Sequence, residues 1–242
     1  DEKTYGFTLG GPIVKDKLFF FANYEKFEQS APGADIEGSA IGRGTITDAQ
    51  IAQAQQIFQD RYGVSAGTYD AASDTNLEEY ALKLDWNISD NHRASFRYSK
   101  LEQDKLRING YGSTTGASLS SYWYQHEKKI ESYVGQLFSD WTDNFSTEVK
   151  ASYRDYSAIR TPSAPGTPAI LIGFGGLNSN RESVANPTLY LGTEANTQYN
   201  ELYTKTWNYF AAGTLTLGDH DDKFGAGFSK NEIYNLYAAY VD

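Results

Sequence analysis

The feature that most narrows what this chain can fold into is a two-residue alternation with one face apolar and the other polar and carrying full charges. Tyr80, Leu82, Leu84, Trp86 and Ile88 fall on one side of the stretch 80–88, and Ala81, Lys83, Asp85 and Asn87 on the other. Period two is the repeat of a β-strand whose two faces meet different surroundings. The pattern recurs with Ala94, Phe96 and Tyr98 against Ser95, Arg97 and Ser99, and with Val149, Ala151 and Tyr153 against Lys150, Ser152 and Arg154. Alternation and turn chemistry together predict eight strands, near 4–13, 18–29, 78–89, 92–103, 122–142, 145–160, 198–217 and 222–240.

The connections carry a second regularity. Val14–Lys17, Ser89–Asn91, Thr142–Asn144 and Gly218–Asp221 are short and rich in Asp, Asn and Gly, residues that tolerate unusual backbone angles and hydrogen-bond locally. They alternate with long connections at about 30–77, 104–121 and 161–197. Short turns at one end of the strands and long loops at the other form the asymmetry of a transmembrane β-barrel. A degenerate repeat accompanies it. LDWNISDNHRASFRYS at 84–99 and FSDWTDNFSTEVKASY at 138–153 share Asp-Trp, a polar turn and an alternating exit strand. Their tryptophans, Trp86 and Trp141, are expected at the lipid–water interface on the short-turn side. Lys83, Asp85, Arg97, Glu148, Lys150 and Arg154 are expected to face a wet lumen, because a mid-membrane Arg or Lys turned toward lipid costs about 2–4 kcal/mol.

Composition agrees. Aromatic residues reach 15% with 19 Tyr, enough for aromatic girdles, and no apolar run approaches the length of a spanning helix. A net charge of −10 excludes a nucleic-acid-binding face and favours a cationic or neutral ligand over an anionic one. The chain has no Cys, hence no disulfides, thiolate metal sites or cysteine catalysis. It has no Met and no signal-peptide pattern at its start, and reads as an excised piece of a longer polypeptide or a truncated gene product.

The opening stretch Tyr5–Glu28, YGFTLGGPIVKDKLFFFANYEKFE, is a hairpin of two strands around a charged turn. It resembles the early-barrel hairpin of Oar-like TonB-dependent outer-membrane receptors, in which a GGPI-x-KDKLFFF-x-x-YE run follows the plug domain. The resemblance covers about a tenth of the chain. It implies that residues 1–242 are about eight strands of a 22-stranded barrel in a Gram-negative outer membrane, with the plug and the remaining strands missing. The parent protein would take up a large solute (peptide, glycan or metal chelate), with outer-membrane lipid, its own plug and TonB as partners. The solute itself is unknown.

Within the long connection 30–77 one helix is predicted. Thr47 caps it, Gln50 completes a capping box, Ile51, Ala54, Ile57 and Phe58 form an apolar stripe, and Gly63 stops it. The third long connection is expected to fold into the barrel mouth or stay mobile. No catalytic or metal motif and no cofactor-binding motif emerges. Asp219-His220-Asp221-Asp222 is the nearest approach to a metal cluster and is expected to be solvated. His126 is the single residue placed where an outer-membrane hydrolase would need its base, and no enzymatic activity is expected. Two other architectures fit part of the pattern: a stand-alone eight-stranded structural or adhesive barrel, and a soluble carbohydrate-binding β-sandwich, which would bury Leu82, Leu84, Phe96 and Tyr153 in a dry centre.

Overall fold

The computed structural model describes residues 1–70, 72–111, 116–175, 187–196 and 199–238. In chain order the elements are β1 (Glu2–Val14), β2 (Leu18–Pro32), α1 (Asp48–Tyr62), β3 (Ala72–Ser89), β4 (His92–Arg107), β5 (Gly116–Ser118), β6 (Tyr124–Thr142), β7 (Phe145–Pro162), β8 (Ile170–Gly173), β9 (Thr188–Leu191), β10 (Tyr199–Leu217) and β11 (His220–Ala238). Eight long strands form one antiparallel sheet in the order β1-β2-β3-β4-β6-β7-β10-β11. Each pairs with its neighbours in sequence, and the sheet stays open, with β1 bonded to β2 alone and β11 to β10 alone. The short strands β5, β9 and β8 form a separate small sheet inside the long connections.

The eight predicted strands match the eight long ones, and most run further at the long-loop end: β3 begins at Ala72 rather than 78, and β4 reaches Arg107 rather than 103. The fifth predicted strand starts late, at Tyr124, because Ser120–Tyr122 form a 3₁₀ turn. Residue 198 of the seventh predicted strand and residues 239–240 of the eighth lie outside the described residues.

The short turns hold by local chemistry. Asp16 adopts a left-handed backbone (φ 58°), which its short polar side chain tolerates, and Lys17 N–H donates to Val14 O at 3.0 Å. The next strand is tied to this turn: Asn87 donates through its backbone N–H to Lys17 O at 2.7 Å and through its side-chain amide to Asp16 O at 3.1 Å. In the β10–β11 turn Gly218 takes φ 59°.

At the other end the long connections build the dry core of the described residues. Ile51, Ala54 and Phe58 of α1 are buried with Ala40, Ile46, Ala66, Ala117, Leu119, Leu189 and Leu191. The capping box between Thr47 and Gln50 is present, and Gly63 closes the helix at φ 71°. The apolar stripe is narrower than expected. Ile57 is 57% exposed, because at 100° per residue it lies well round the helix from Phe58. The third connection contributes β8 and β9 to this loop module, with residues 176–186 outside the described set. Trp123, 1% exposed, pins the module to the sheet by donating from Nε1 to Ser118 Oγ at 2.7 Å.

The dry centre that a soluble sandwich requires is not there. Leu82 and Phe96 are 40% and 42% exposed, and among the described residues no second sheet packs on their face. Trp123→Ala is expected to cost about 3–5 kcal/mol within the loop module. Limited proteolysis should then cut the long connections much faster, while the heat-dependent gel mobility of the sheet stays unchanged.

Candidate functional site: two faces and an outer mouth

Residues paired across an antiparallel sheet share a face, so the register assigns every side chain. One face is apolar over the half nearer the short turns. Leu84, Phe96, Gly135, Ala151, Tyr209 and Phe228 align across six successive strands. Gly213 belongs here too, with the Phe224 ring lying over it and stacked on Phe145 at 6.5 Å and 11°. Adding a side chain at that glycine would displace the ring. Trp86 and Trp141 stand on this same face beside the short turns, 50% and 57% exposed.

An aromatic row bounds the apolar band on its other side. Phe7, Tyr24 and Tyr80 follow one another at ring separations of 5.8 and 5.3 Å. Tyr98, Tyr133, Tyr153 and Trp207 continue at 5.0, 6.2 and 5.2 Å. From Tyr133 to Trp141 the strand advances about 26 Å at roughly 3.3 Å per residue, and a barrel tilt of about 35–45° reduces this to roughly 20 Å of height. That matches an apolar band flanked by girdles.

Beyond the row the same face turns charged at once. Lys26–Glu28, Lys100–Glu102, Lys129–Glu131 and Lys230–Glu232 form ion pairs of 2.7, 2.8, 3.1 and 2.8 Å, each between residues two apart on one strand. Such exposed pairs add about 0–1 kcal/mol each. Their interest is positional: the face becomes aqueous where the tyrosines end.

The opposite face carries the charges at the apolar band's height, interleaved with Phe19, Phe21, Val134, Phe138 and Phe210. Lys83, Asp85, Arg97, Glu148, Lys150 and Arg154 all lie on it, with Lys83 opposite Arg97 and Lys150 opposite Gln136. Lys83 pairs with Asp85 at 2.8 Å and Glu148 with Lys223 at 3.6 Å. Among the described residues Arg97, Lys150 and Arg154 have no carboxylate within ion-pair distance, and Glu25 stands directly opposite Glu79.

At the loop end of this polar face sequence reading missed a group of cations. Lys105 of β4 lies opposite His126 of β6, which lies opposite Arg160 of β7. With Arg107 and Tyr124 they line a cleft of about 380 Å³ beneath the long connections. His126, seven residues beyond Tyr133 and so clear of the apolar band, has a pKa pushed down to about 4, first by burial and then by Arg160, Lys128 and Arg107. Its cross-strand neighbours are cations, so no carboxylate orients it as a catalytic base would require. The signal in the sequence was faint: the basic residues lie on three strands separated by long connections. Asp221 of the acidic turn accepts from Thr216 Oγ1 at 2.6 Å, and no metal-binding group of His, Asp or Glu occurs among the described residues.

An open antiparallel sheet with a girdled apolar face, a charged opposite face and a loop module at one end is the wall of an outer-membrane β-barrel. The chain belongs to the outer membrane beta barrel domain family, which matches residues 1–40 and 33–240. Among solved structures it is similar to the outer membrane transporter YddB from Escherichia coli, with 10% identity and a TM-score of 0.60, over 96% of this chain and 26% of that one. The ferric-catecholate import receptor Fiu from E. coli K12, in its open form, aligns at 14% identity and a TM-score of 0.46, over 98% of this chain and 38% of that one. This chain therefore spans about a quarter of YddB's length. No curated protein matches it in sequence. The protein resides in the outer membrane.

Titration of the His126 ring by NMR is expected to give a midpoint of about 4. Arg160→Gln should raise it, since a positive neighbour is removed. A free His binds its proton near pH 6.5. The unfolded chain therefore protonates first, and His126 withdraws stability from the fold as the pH falls from about 6.5 toward 4.

Proposed function

We propose that this chain is an early barrel segment, about eight strands of a 22-stranded barrel, of an Oar-like TonB-dependent receptor whose parent protein imports a large solute across the outer membrane. In this reading the polar face lines the lumen, Trp86 and Trp141 sit at the periplasmic interface, and the loop module stands outside the cell. The observation that carries it is the charge left unpaired on the polar face. Arg97 and Lys150 stand at the height of the apolar band, and Arg154, with Glu25 opposite Glu79, beside the aromatic row that bounds it. Like charges directly opposed are destabilising. A plug folded inside a large barrel would supply partners of both signs.

Two further points support the reading. The GGPIVKDKLFFFANYE hairpin, with its family resemblance, forms the paired strands β1 and β2. A closed eight-stranded barrel would need β1 to bond β11, and neither edge does so here. The fold shared with YddB, a transporter, fits import as the parent's activity.

The purified full-length parent protein should bind the periplasmic domain of TonB in surface plasmon resonance. Absence of binding at tens of micromolar TonB would remove the active-transport claim. The wall's polarity is tested at two adjacent positions in that same protein. Leu137→Arg, at mid-height on the apolar face, is expected to cost about 2–4 kcal/mol in reversible folding into lipid vesicles. Gln136→Glu, one residue away on the lumen side and directly opposite Lys150, should stay within about 0.5 kcal/mol. Equal costs at the two sites would refute the assignment of faces.

A further inference from the structure

We propose that the loop end of the polar face holds an oxyanion-binding site, formed by Lys105, Arg107, His126 and Arg160, that receives a phosphate or clustered carboxylate group of the imported solute. The proposal deepens the receptor reading and rests on its assignment of this face to the lumen.

Three observations carry it. First, three successive strands place basic side chains at one level: Lys105, His126 and Arg160 are opposite one another, with Arg107 beside them. Nothing in the fold demands such a row, since like charges directly across a ladder repel. Second, the cations here are not neutralised. On the other face of the same strands, Lys100 and Lys129 each hold a glutamate, whereas among the described residues Lys105, Arg107 and Arg160 hold no carboxylate within ion-pair distance. The chain's net charge is −10, so the shortage of acid is local and particular to this cleft. Third, the Nε–H of Arg160 is shielded from water and lacks a hydrogen-bond partner. A buried donor left unsatisfied costs about 1–3 kcal/mol, and a ligand oxygen would remove that cost.

The donor set suits an oxyanion. Two guanidinium groups offer planar forks that match phosphate or carboxylate oxygens, and Lys105 adds a point charge. A cleft of about 380 Å³ admits a group the size of pyrophosphate or a tricarboxylate and leaves the rest of a large solute in the lumen. The pKa of His126, pushed down first by burial and then by Arg160, Lys128 and Arg107, agrees with this concentration of positive charge.

The test uses the full-length protein in phosphatidylcholine nanodiscs, titrated with pyrophosphate by calorimetry, with TonB binding measured on the same preparations. Pyrophosphate is expected to bind and to move the His126 NMR titration midpoint upward, a readout that needs no mutation. Arg160→Gln and Arg107→Gln should each weaken binding by about tenfold or more. Lys15→Gln, the same charge change in the β1–β2 turn, should leave it within about twofold. If TonB binds but pyrophosphate does not, or if Arg160→Gln leaves its affinity unchanged, the anion site is overturned while the receptor reading stands. If pyrophosphate binds as expected and TonB does not, the receptor reading fails and the site survives. An affinity that falls when phosphatidylglycerol replaces phosphatidylcholine would assign the cations to a lipid headgroup and overturn the solute assignment.

Discussion

In the hydrocarbon layer no water is present to accept from N–H or donate to C=O, so every backbone polar group must find its partner within the protein. Strands do this only by pairing sideways, and the rest of this structure follows from that need. The eight long strands pair in one series from β1 to β11, and bulges break the ladder only beside the short turns. The ladder leaves side chains free to answer two different surroundings on its two faces. It also explains why bulges at Pro12–Val14, Asn87–Ser89 and Asp140–Thr142 gather beside the short turns, where water can reach the unpaired groups.

Hydrophobicity is therefore spent differently here than in a soluble protein (apolar side chains go outward to lipid in the wall and inward to a core only in the loops). Leu82, Phe96, Leu137 and Val149 are left open on the sheet, while Phe58, Ile46, Leu119 and Leu189 are sealed in the loop module. The two regions meet at Trp123, whose indole is buried and hydrogen-bonded to Ser118. A membrane wall and a small globular domain thus coexist in one chain, each stabilised by the solvent it faces.

Charge divides along the same lines. Outside the aromatic row, lysines and glutamates two residues apart neutralise one another on the lipid-side face. Inside, the charges of the polar face at Arg97, Lys150 and Arg154 remain open, and at the mouth Lys105, Arg107 and Arg160 concentrate one sign around His126. The outer face settles its electrostatics within single strands. The opposite face leaves its charges unbalanced.

Much of this was legible from residue order alone. Strand existence, the face of Leu84 against that of Lys83, the short turns, and the helix with Thr47, Gln50 and Gly63 are local properties, set by two-residue and 3.6-residue periods and by neighbouring side chains. Tertiary structure decided what depends on register across distant segments. Alternation cannot say that Lys105, His126 and Arg160 share a level, because long connections of unconstrained length separate their strands. Nor could it place β5, β8 and β9 in a second sheet or turn Ile57 away from the loop core, since a short strand and a marginal helical position are chosen by what packs against them.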